Sequence, residues 1–527
     1  MDVQARRIAR PRDDTIWILA LAAILLLALL LRLHGIHNPI IDHPGWRQGD
    51  ESAIARNFAT LQFNPLYPQV DYDGPPPNYV ELELQIVPFL MAVLYRIFGI
   101  HEIFGRLISI GFGLGTVAVL AYFGRWLFSS ALAGLLAALL FAIMPGSIYY
   151  GRTITPEGVM LLALTGGLYV ATRYLIEDEA LSWRGALWSA ALLALAYLAK
   201  PVAVIALLPL AAITIKRVIE ARTTRWLPLA LIFIGPLLIF FAYDRFEMIH
   251  AEWHWASGIT ALHVAPSLGQ ALTHANAFGD KWRHFTDVLG MLGRTMLGPA
   301  CSALLILGII LGVRPRSPEL LWGWLVAAIL YTYVVVTVER VDYYMYLWLP
   351  LGALAGARFL TRLVNAVAQA PSRALKYAAA TAGALLLLGA TYQNRQEVRT
   401  YYRYSKAVYR NAIALDRTLD RNALIVMGHY DPSVLYYINR KGWEEDPYLW
   451  TPFDQQSAVQ KGARYFIAIE RNRFEKNVEL YNWMQRFPVL NSNAKWPVYL
   501  TDYAKLLPGA EARWRAFRRA EKAGKLR

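Results

Sequence analysis

Two adjacent carboxylates, Asp50 and Glu51, lie in the polar stretch 43–58, directly after the first apolar segment of the chain. Apolar side chains recur at helical spacing after Asp50, at Ile54, Phe58 and Leu61. This pattern predicts an amphipathic helix at a lipid–water boundary, with Asp50 at its amino terminus. A helix amino terminus keeps a carboxylate ionised, as a general base for a hydroxyl group requires. The alternative is that Asp50 or Ser52 only caps the helix.

Three more charged residues interrupt strongly apolar sequence. Arg152 and Glu157 follow one apolar segment, and Lys200 stands between two others. Charged side chains are costly in a bilayer, so those that occur there are commonly functional. Two structural alternatives stay open: Arg152 and Glu157 form an ion pair at a helix end, or Lys200 only extends to the interface.

A fourth cluster contains Arg340, Tyr343 and Tyr344. Arginine, lysine and tyrosine side chains that converge on one surface could bind a lipid-linked phosphate, because each donates hydrogen bonds to phosphate oxygens.

Histidines and tryptophans are concentrated between His250 and His263, with His254 between two tryptophans. The stretch has no glutamate where a zincin helix needs one, and no further ligand set is evident. The sequence therefore favours interfacial anchors over a zinc site, with His254 as a candidate contact to a substrate or lipid carrier.

Composition indicates a polytopic membrane protein. The chain has 527 residues, of which 56% are hydrophobic and only 17% charged. Its net charge of +15 comes from basic residues in short loops and in the C-terminal third, so membrane orientation explains it better than nucleic acid. The single cysteine, Cys301, supports neither a disulfide framework nor a thiolate metal site.

Apolar segments that could cross or enter the bilayer are 16–33, 84–99, 107–124, 126–144, 159–175, 186–199, 202–215, 227–243, 300–313, 320–338, 343–360 and 374–391. The N-terminal basic flank (Arg6, Arg7, Arg10 and Arg12) has no cleavage site after it and predicts a retained first helix.

The positive-inside rule predicts that the basic loops face the cytoplasm: the N-terminal flank, Arg96 with Arg106, Arg173 with Arg184, Lys216 and Arg217 with Arg222 and Arg225, Arg314 with Arg316, and 358–376. The loop 149–157 must then be outside. One of the two apolar segments between Arg106 and Tyr149 should therefore be short or re-entrant, which leaves about eleven crossings.

This topology predicts a membrane domain over residues 1–391, with external loops at 34–83 and 244–296, and an extracytoplasmic domain over 392–527. The last part carries two short apolar runs, 423–427 and 465–469, that are typical of buried strands. We therefore expect a small α/β domain at the C-terminus.

Motifs in this order resemble the GT-C glycosyltransferases, specifically the protein O-mannosyltransferase and aminoarabinose transferase (PMT/ArnT-like) branch. The matching motifs are Asp50-Glu51, Gly74-Pro-Pro-Pro77, Arg106-Leu-Ile-Ser109, Tyr150 to Glu157 and Arg340 to Pro350. The resemblance implies the GT-C fold, with about 11–13 transmembrane helices, interfacial helices in the first external loop and the small C-terminal α/β domain.

The resemblance also implies transfer of a sugar, with inversion, from a polyprenyl-phosphate carrier to an external lipid, glycan or protein. Asp50 would be the base, and Glu157, Lys200, Arg340 and Tyr343 would bind the acceptor or the carrier phosphate. Glu51, Arg152, His254 and Tyr344 complete the candidate binding residues. The chain has no inserted sugar-binding domain of the eukaryotic kind, which favours a bacterial enzyme of the inner membrane.

No cofactor is expected, because basic side chains can neutralise a phosphate leaving group. A metal-dependent variant, with Asp50 and Glu157 as ligands, stays open. The main alternative function is a transporter or lipid flippase. Such proteins usually carry internal repeats with paired broken helices, whereas the ionisable residues here cluster at one predicted membrane face.

Overall fold

The computed structural model describes residues 11–220, 225–491 and 495–523. Arg6, Arg7, Arg10 and Arg222, which belong to the predicted basic loops, lie outside these ranges.

Helices make up most of the described chain. Those before residue 200 are α1 (Pro11–Arg32), α2 (Gly45–Thr60), α3 (Ile86–Phe98), α4 (Ile103–Leu127), α5 (Ala131–Ile143), α6 (Pro145–Tyr150), α7 (Glu157–Glu177) and α8 (Trp183–Ala199). Next come α9 (Leu207–Ile219), α10 (Trp226–His250), α11 (Ala256–Gly258), α12 (Ala265–Thr273), α13 (Ala275–Met291), α14 (Pro299–Leu311), α15 (Pro318–Tyr331), α16 (Thr337–Glu339), α17 (Trp348–Ala368) and α18 (Arg373–Glu397).

The polytopic helical architecture is confirmed. Within the described residues, eight helical segments are long and apolar enough to cross a membrane, or nine if the bent pair formed by residues 275–296 and α14 is one span. Three further apolar helices, α3, α5 and α8, are shorter. The predicted number of spans is reached only when shorter helices are included.

Ion pairs gather at two ends of the bundle. At one end, Asp42 pairs with Arg106 at 3.0 Å and with Arg152 at 2.6 Å. At the other, Arg316 pairs with Glu177 at 3.0 Å and Lys216 with Glu319 at 2.7 Å. The second end therefore holds basic residues that the sequence places in cytoplasmic loops. Which side of the membrane this second end faces stays a prediction.

One part of the predicted topology is wrong. Arg106 was expected at the same end as Lys216, but its side chain binds Asp42, and Arg96 donates to the carbonyl of Ala59 at 3.2 Å. Both arginines thus lie against the first polar loop. α3 carries Arg96 itself and ends before Arg106, so it begins and ends on the side of this loop and does not cross the apolar layer. Ile97 and Phe98 at its end remain 65% and 60% exposed.

The helix that carries Asp50 also differs from its prediction. α2 begins at Gly45 after Pro44, so Asp50 lies in the second turn rather than at the amino terminus. The side chain of Asp50 therefore caps nothing. Most of α2 from Gln48 to Phe58 is buried, so the helix is enclosed rather than lying with one apolar side on an interface.

A mixed sheet follows the membrane part. Its strands are β3 (Leu424–Met427), β4 (Lys441–Glu444), β5 (Ala463–Ile467) and β6 (Val498–Leu500), whereas β1 (Val80–Glu81) and β2 (Trp253–His254) pair in a separate sheet. The order is β4-β3-β5-β6, with only β6 antiparallel. Five helices accompany this sheet: α19 (Lys406–Thr418), α20 (Pro432–Ile438), α21 (Pro452–Gln460), α22 (Arg471–Lys476) and α23 (Val478–Met484), and α24 (Ala510–Lys522) follows it. The two strands predicted from sequence are confirmed as β3 and β5.

The C-terminal sheet region packs directly on α2. A side chain at Gly49 would approach the backbone nitrogen of Ser433 to 2.4 Å, so only glycine allows this contact. The backbone nitrogen of Gly442 in β4 also donates to the carbonyl of Asp71 at 3.0 Å. Asp50 is consequently covered by the C-terminal region as well as by the membrane helices.

Candidate active site

A cavity of about 440 Å³ lies beside α2, between the first polar loop and the helices that follow Lys200. Four of its lining residues are charged: Arg47, Asp50, Glu83 and Lys200. Its aromatic lining residues are Trp46, Trp255, Tyr331, Tyr343 and Tyr344. The cavity thus brings together groups that are up to about 300 positions apart in the chain.

Asp50 contributes a buried carboxyl group to this cavity, with only 1% of the residue exposed. The hydroxyl of Tyr72 donates to its Oδ1 at 2.8 Å. Burial raises the pKa of Asp50 to about 7, although Arg47 and the Tyr72 hydrogen bond act in the opposite direction. Asp50 can therefore exchange a proton near neutral pH, as a general base requires.

Arg47 and Glu51 stand one helical turn apart on α2. Arg47 pairs with Glu51 at 2.8 Å and also with Glu83. Burial raises the pKa of Glu51, while the charge of Arg47 lowers it. Arg47 is shared between two carboxylates, so it is held in place beside Asp50 at the cavity wall.

Lys200 brings a second cation to the cavity, directly before a helical turn over Pro201–Ala206. It pairs with Glu157, the first residue of α7. The Lys200 ammonium also lies 4.5 Å from the ring centre of Tyr344 and 5.3 Å from that of Tyr343. The structure therefore makes neighbours of Lys200 and the pair Tyr343 and Tyr344, which the sequence analysis placed in two separate clusters.

Aromatic rings form the wall next to Asp50. Tyr72 stacks on Trp255 with ring centres 5.3 Å apart and planes 18° apart. Trp46 contacts Tyr430 of the C-terminal region with ring centres 4.2 Å apart. Flat aromatic surfaces beside hydrogen-bonding groups can contact the apolar faces of a sugar ring.

An apolar groove of about 290 Å³ adjoins the cavity between α9 and α15. The two spaces share Val204, Ile205, Tyr331 and Val335. The groove is lined otherwise by aliphatic residues, namely Leu207, Leu208, Ala327, Leu330 and Val334. A molecule with a charged head and a hydrocarbon tail would find matching surfaces in the two spaces.

Five predicted site residues do not line the cavity: Glu51 and Glu157, which pair with its cations Arg47 and Lys200, and Arg152, Arg340 and His254. Arg152 is fully buried and binds Asp42, which rules out the open alternative that it pairs with Glu157. Arg340 is exposed, with a left-handed backbone (φ 50°), and no partner for its side chain is found in the described part of the chain. His254 is exposed in β2, next to Trp255 of the cavity wall.

Arg47, Glu83 and Tyr72 were missed by the sequence analysis. Arg47 had a signal, since it stands four residues before Glu51 on one helix and can pair with it. Tyr72 had none, because its contact with Asp50 depends on how the loop folds back over α2.

The C-terminal region adds one more buried carboxyl group near Asp50. Glu444, the last residue of β4, is 1% exposed, and neither of its carboxyl oxygens has a hydrogen-bond partner among the described residues. Burial and then the charge of Asp50 hold the pKa of Glu444 well above its usual range. Glu444 is therefore expected to be neutral.

Within the described ranges, no group of three or more histidine, cysteine or acidic residues is placed to hold a metal ion. Asp50 accepts from Tyr72, and Glu157 pairs with Lys200. The predicted independence from metal stays a prediction, because it concerns the reaction rather than the resting side chains.

Residues 85–244 match a family model described as dolichyl-phosphate-mannose-protein mannosyltransferase. The structure is similar to ArnT from Cupriavidus metallidurans bound to undecaprenyl phosphate, over 93% of this chain and 99% of that chain, with 14% identity and a TM-score of 0.58. It is also similar to the oligosaccharyltransferase AglB from Archaeoglobus fulgidus in complex with an inhibitory peptide and a dolichol-phosphate, over 95% and 76%, with 12% identity and a TM-score of 0.57. No curated protein matches the sequence. The predicted resemblance to GT-C glycosyltransferases of the PMT/ArnT-like branch is confirmed, and the fold is that of GT-C proteins.

Proposed function

We propose that this chain, a multi-pass membrane protein with the GT-C fold, is an inverting glycosyltransferase that uses a polyprenyl-phosphate-linked sugar. The acceptor is a hydroxyl group of an extracytoplasmic lipid, glycan or protein. One observation carries the proposal: a buried carboxylate, two cations and an apolar groove meet in one continuous space.

The donor is the part of the proposal best supported by the shape of this space. A sugar linked to a polyprenyl phosphate has a polar head, a single phosphate and a long hydrocarbon chain. The phosphate would lie near Lys200 and Arg47, and the chain would leave along the groove beside Val204 and Val335. Two nearby cations stabilise the charge that develops on the departing phosphate.

The reaction requires one proton transfer and one substitution. The Asp50 carboxylate accepts the proton of the acceptor hydroxyl, whose oxygen bonds to the anomeric carbon. The bond from that carbon to the phosphate oxygen breaks, and the electron pair leaves with the polyprenyl phosphate. A single displacement from the opposite side inverts the anomeric configuration, as in other reactions that use one carboxylate as base.

The rest of the proposed machinery positions these groups. Tyr72 orients the Asp50 carboxylate through its hydrogen bond, and Glu157 holds Lys200. Glu51 and Glu83 hold Arg47. Tyr343 and Tyr344 support the Lys200 ammonium with their ring faces.

The test is mass spectrometry of lipid-linked sugars and surface glycans in cells that carry the wild-type chain, the Asp50→Asn variant or neither. We expect one lipid-linked sugar to accumulate, and one surface sugar to disappear, in both the Asp50→Asn cells and the cells without the chain. Normal surface glycans in the Asp50→Asn cells would contradict the catalytic assignment. A lipid-linked sugar that accumulates on the cytoplasmic side of the membrane in cells without the chain would favour a transporter or flippase.

A further inference from the structure

A second polar space lies at the other side of the C-terminal sheet region, where the end of α2 meets the first residues of β3 and β4. Two adjacent cavities of about 550 and 570 Å³ share Arg421, Asn439 and Arg440 in their walls. We call the two cavities together the cationic cleft. Their lining has no residue in common with the cavity that contains Asp50.

Positive charge dominates the cationic cleft. Its basic lining residues are Arg56, Arg417, Arg421, Arg440 and Lys441. Asp416 is the one acidic residue among the described residues that line it. A concave surface of this composition attracts anions.

Three of these cations have partners that fix them in place. Arg56 and Lys441 both pair with Asp71. Burial alone would raise the pKa of Asp71, but Lys441 and Arg56 lower it to about 2. Arg440 pairs with Asp416 at 2.8 Å, and its Nε donates to the carbonyl of Asp420 at 2.8 Å. These residues form a rigid wall.

Arg417 and Arg421 are different, because both are exposed and no acidic partner for either is found in the described ranges. Their sequence neighbours Asp416 and Asp420 are already engaged, because Asp416 pairs with Arg440, and Asp420 pairs with Arg464 and accepts from the Tyr465 hydroxyl at 3.1 Å. Two guanidinium groups are therefore available to an anion: Arg421 at the wall that the two cavities share, and Arg417 in the second cavity.

Apolar residues border the same cleft on the side of α3. Leu61 and Ile100 line it and are 54% and 43% exposed. Ile97 and Phe98 of α3, close in sequence to Ile100, are 65% and 60% exposed. An exposed apolar border beside free arginines matches a molecule with hydrocarbon chains and an anionic head.

We propose that the cationic cleft binds the phosphate group of an anionic phospholipid, such as phosphatidylglycerol. Arg417 and Arg421 contact the phosphate, and the acyl chains lie along Leu61, Ile97 and Ile100. The same phosphate chemistry is available on a soluble phosphate ester, and the test below separates the two sources. This site would attach the C-terminal region to the lipid surface at a place remote from the reaction.

The test uses the full-length protein, purified as a monodisperse sample in a neutral detergent. Dioctanoylphosphatidylglycerol, dioctanoylphosphatidylcholine and glycerol phosphate are titrated separately, and binding is measured by native mass spectrometry. The cleft variant combines Arg417→Gln and Arg421→Gln. The matched control combines Arg515→Gln and Arg519→Gln on α24, where both side chains are exposed and line neither cavity.

We expect the wild type to prefer phosphatidylglycerol to phosphatidylcholine. The cleft variant should lose about tenfold or more in phosphatidylglycerol affinity, because charge-assisted bonds to the phosphate are lost. The control should change by less than about twofold, since exposed charges remote from the ligand interact weakly with it. Ile100→Ser should weaken binding of the lipid but not of glycerol phosphate.

Three results would overturn the proposal. Equal losses in the cleft variant and the control would show a general charge effect. Equal affinity for the two phospholipids would show that the net negative charge of the lipid is not recognised, because both carry a phosphate. Glycerol phosphate that binds as tightly as phosphatidylglycerol would assign the cleft to a soluble phosphate ester.

Discussion

Asp50 shows how the fold changes the chemistry of one residue. On the surface it would be an ionised aspartate with little affinity for a proton. In the cavity, burial disfavours its charge and raises its pKa to about 7. Arg47 limits this increase, since it favours the charged form. The balance between burial and one nearby cation determines how basic the carboxylate is.

Replacing Asp50 with asparagine should almost abolish transfer. Loss of a general base costs about 10²- to 10⁴-fold in rate, whereas the amide has a similar size and can still accept from Tyr72. The measurement is turnover of a lipid-linked sugar by purified protein, with donor affinity measured separately. The control is Asp73→Asn, because Asp73 lies outside the cavity and has a left-handed backbone that asparagine tolerates. Near-normal turnover in Asp50→Asn would move the role to Glu51 or Glu157.

Activity should rise with pH, with a midpoint near pH 7, because Asp50 accepts a proton only after losing its own. The measurement is kcat/KM between pH 5 and 9, values chosen to bracket the pKa of the carboxylate. A rate that does not change with pH across this range would contradict the assignment.

The same titration has a consequence for stability, which gives an independent check. The pKa of Asp50 is higher in the folded than in the unfolded chain, so the folded state binds more protons between about pH 4 and pH 7. The contribution of Asp50 to stability is therefore present at low pH and is lost as pH rises through 7. Asp50→Asn should melt at a higher temperature than the wild type at pH 8, and the difference should shrink at pH 5.

Turnover should survive removal of divalent metal ions. Lys200 and Arg47 already supply positive charge beside the proposed phosphate position, and a single phosphate needs less neutralisation than a diphosphate. The measurement is transfer before and after incubation with EDTA. Activity that disappears and then returns with Mg²⁺ or Mn²⁺ would place the chain with metal-dependent transferases.

At the scale of elements, the C-terminal region depends on a few buried contacts with α2 and the loop after it. Asp71 pairs with Arg56 of α2 and with Lys441 of β4, and all three are largely buried. The side-chain nitrogen of Lys441 also donates to Asn57 Oδ1 at 2.5 Å. One carboxylate therefore joins two elements that are far apart in the chain.

Asp71→Asn should loosen this junction. It leaves two buried cations without a counter-charge, which typically costs about 3–5 kcal/mol. We expect faster hydrogen exchange in β3 and β4 and a lower melting temperature. The control is Asp502→Asn, which keeps the side-chain acceptor for the backbone nitrogen of Ala504. Because the pKa of Asp71 is lowered to about 2, its stabilising effect is fully present above about pH 4 and is lost as pH falls through 2.

At the scale of the whole molecule, the ion pairs divide the chain into two ends. Asp42, Arg106, Arg152 and Lys200 lie at the end that carries the C-terminal region, whereas Lys216 and Arg316 lie at the other. If α3 lies along the surface instead of crossing, α4 and α5 both cross. The chain then has eleven crossings without a re-entrant segment, and the basic loops other than 96–106 still share one side.

Cysteine labelling in intact cells should reveal this arrangement. Cys301 is buried, and a Cys301→Ser background allows single exposed cysteines to be introduced. We expect an impermeant reagent to label His101→Cys and Lys461→Cys, but not Glu179→Cys, until the membrane is permeabilised. Protection of His101→Cys together with Glu179→Cys would restore α3 as a crossing helix. Protection of Lys461→Cys would reverse the predicted orientation of the whole chain.

The sequence by itself determined the class of the protein and much of its helical order. Hydropathy is a property of contiguous residues, so long apolar segments such as 227–243 and short strands such as 423–427 are visible without the fold. The pair Asp50-Glu51 was visible for the same reason, because the two carboxylates are adjacent in the sequence.

Only the tertiary structure decided which charges meet. Tyr72 contacts Asp50 across 22 positions, and Lys441 contacts Asn57 across 384. Arg152 pairs with Asp42 rather than with nearby Glu157, whose carboxylate is held by Lys200 from another helix end. Burial raises the pKa of Asp50 for a related reason, since it depends on the C-terminal region and the loop that enclose α2. These effects arise from packing between distant segments, which a local pattern of residues does not record.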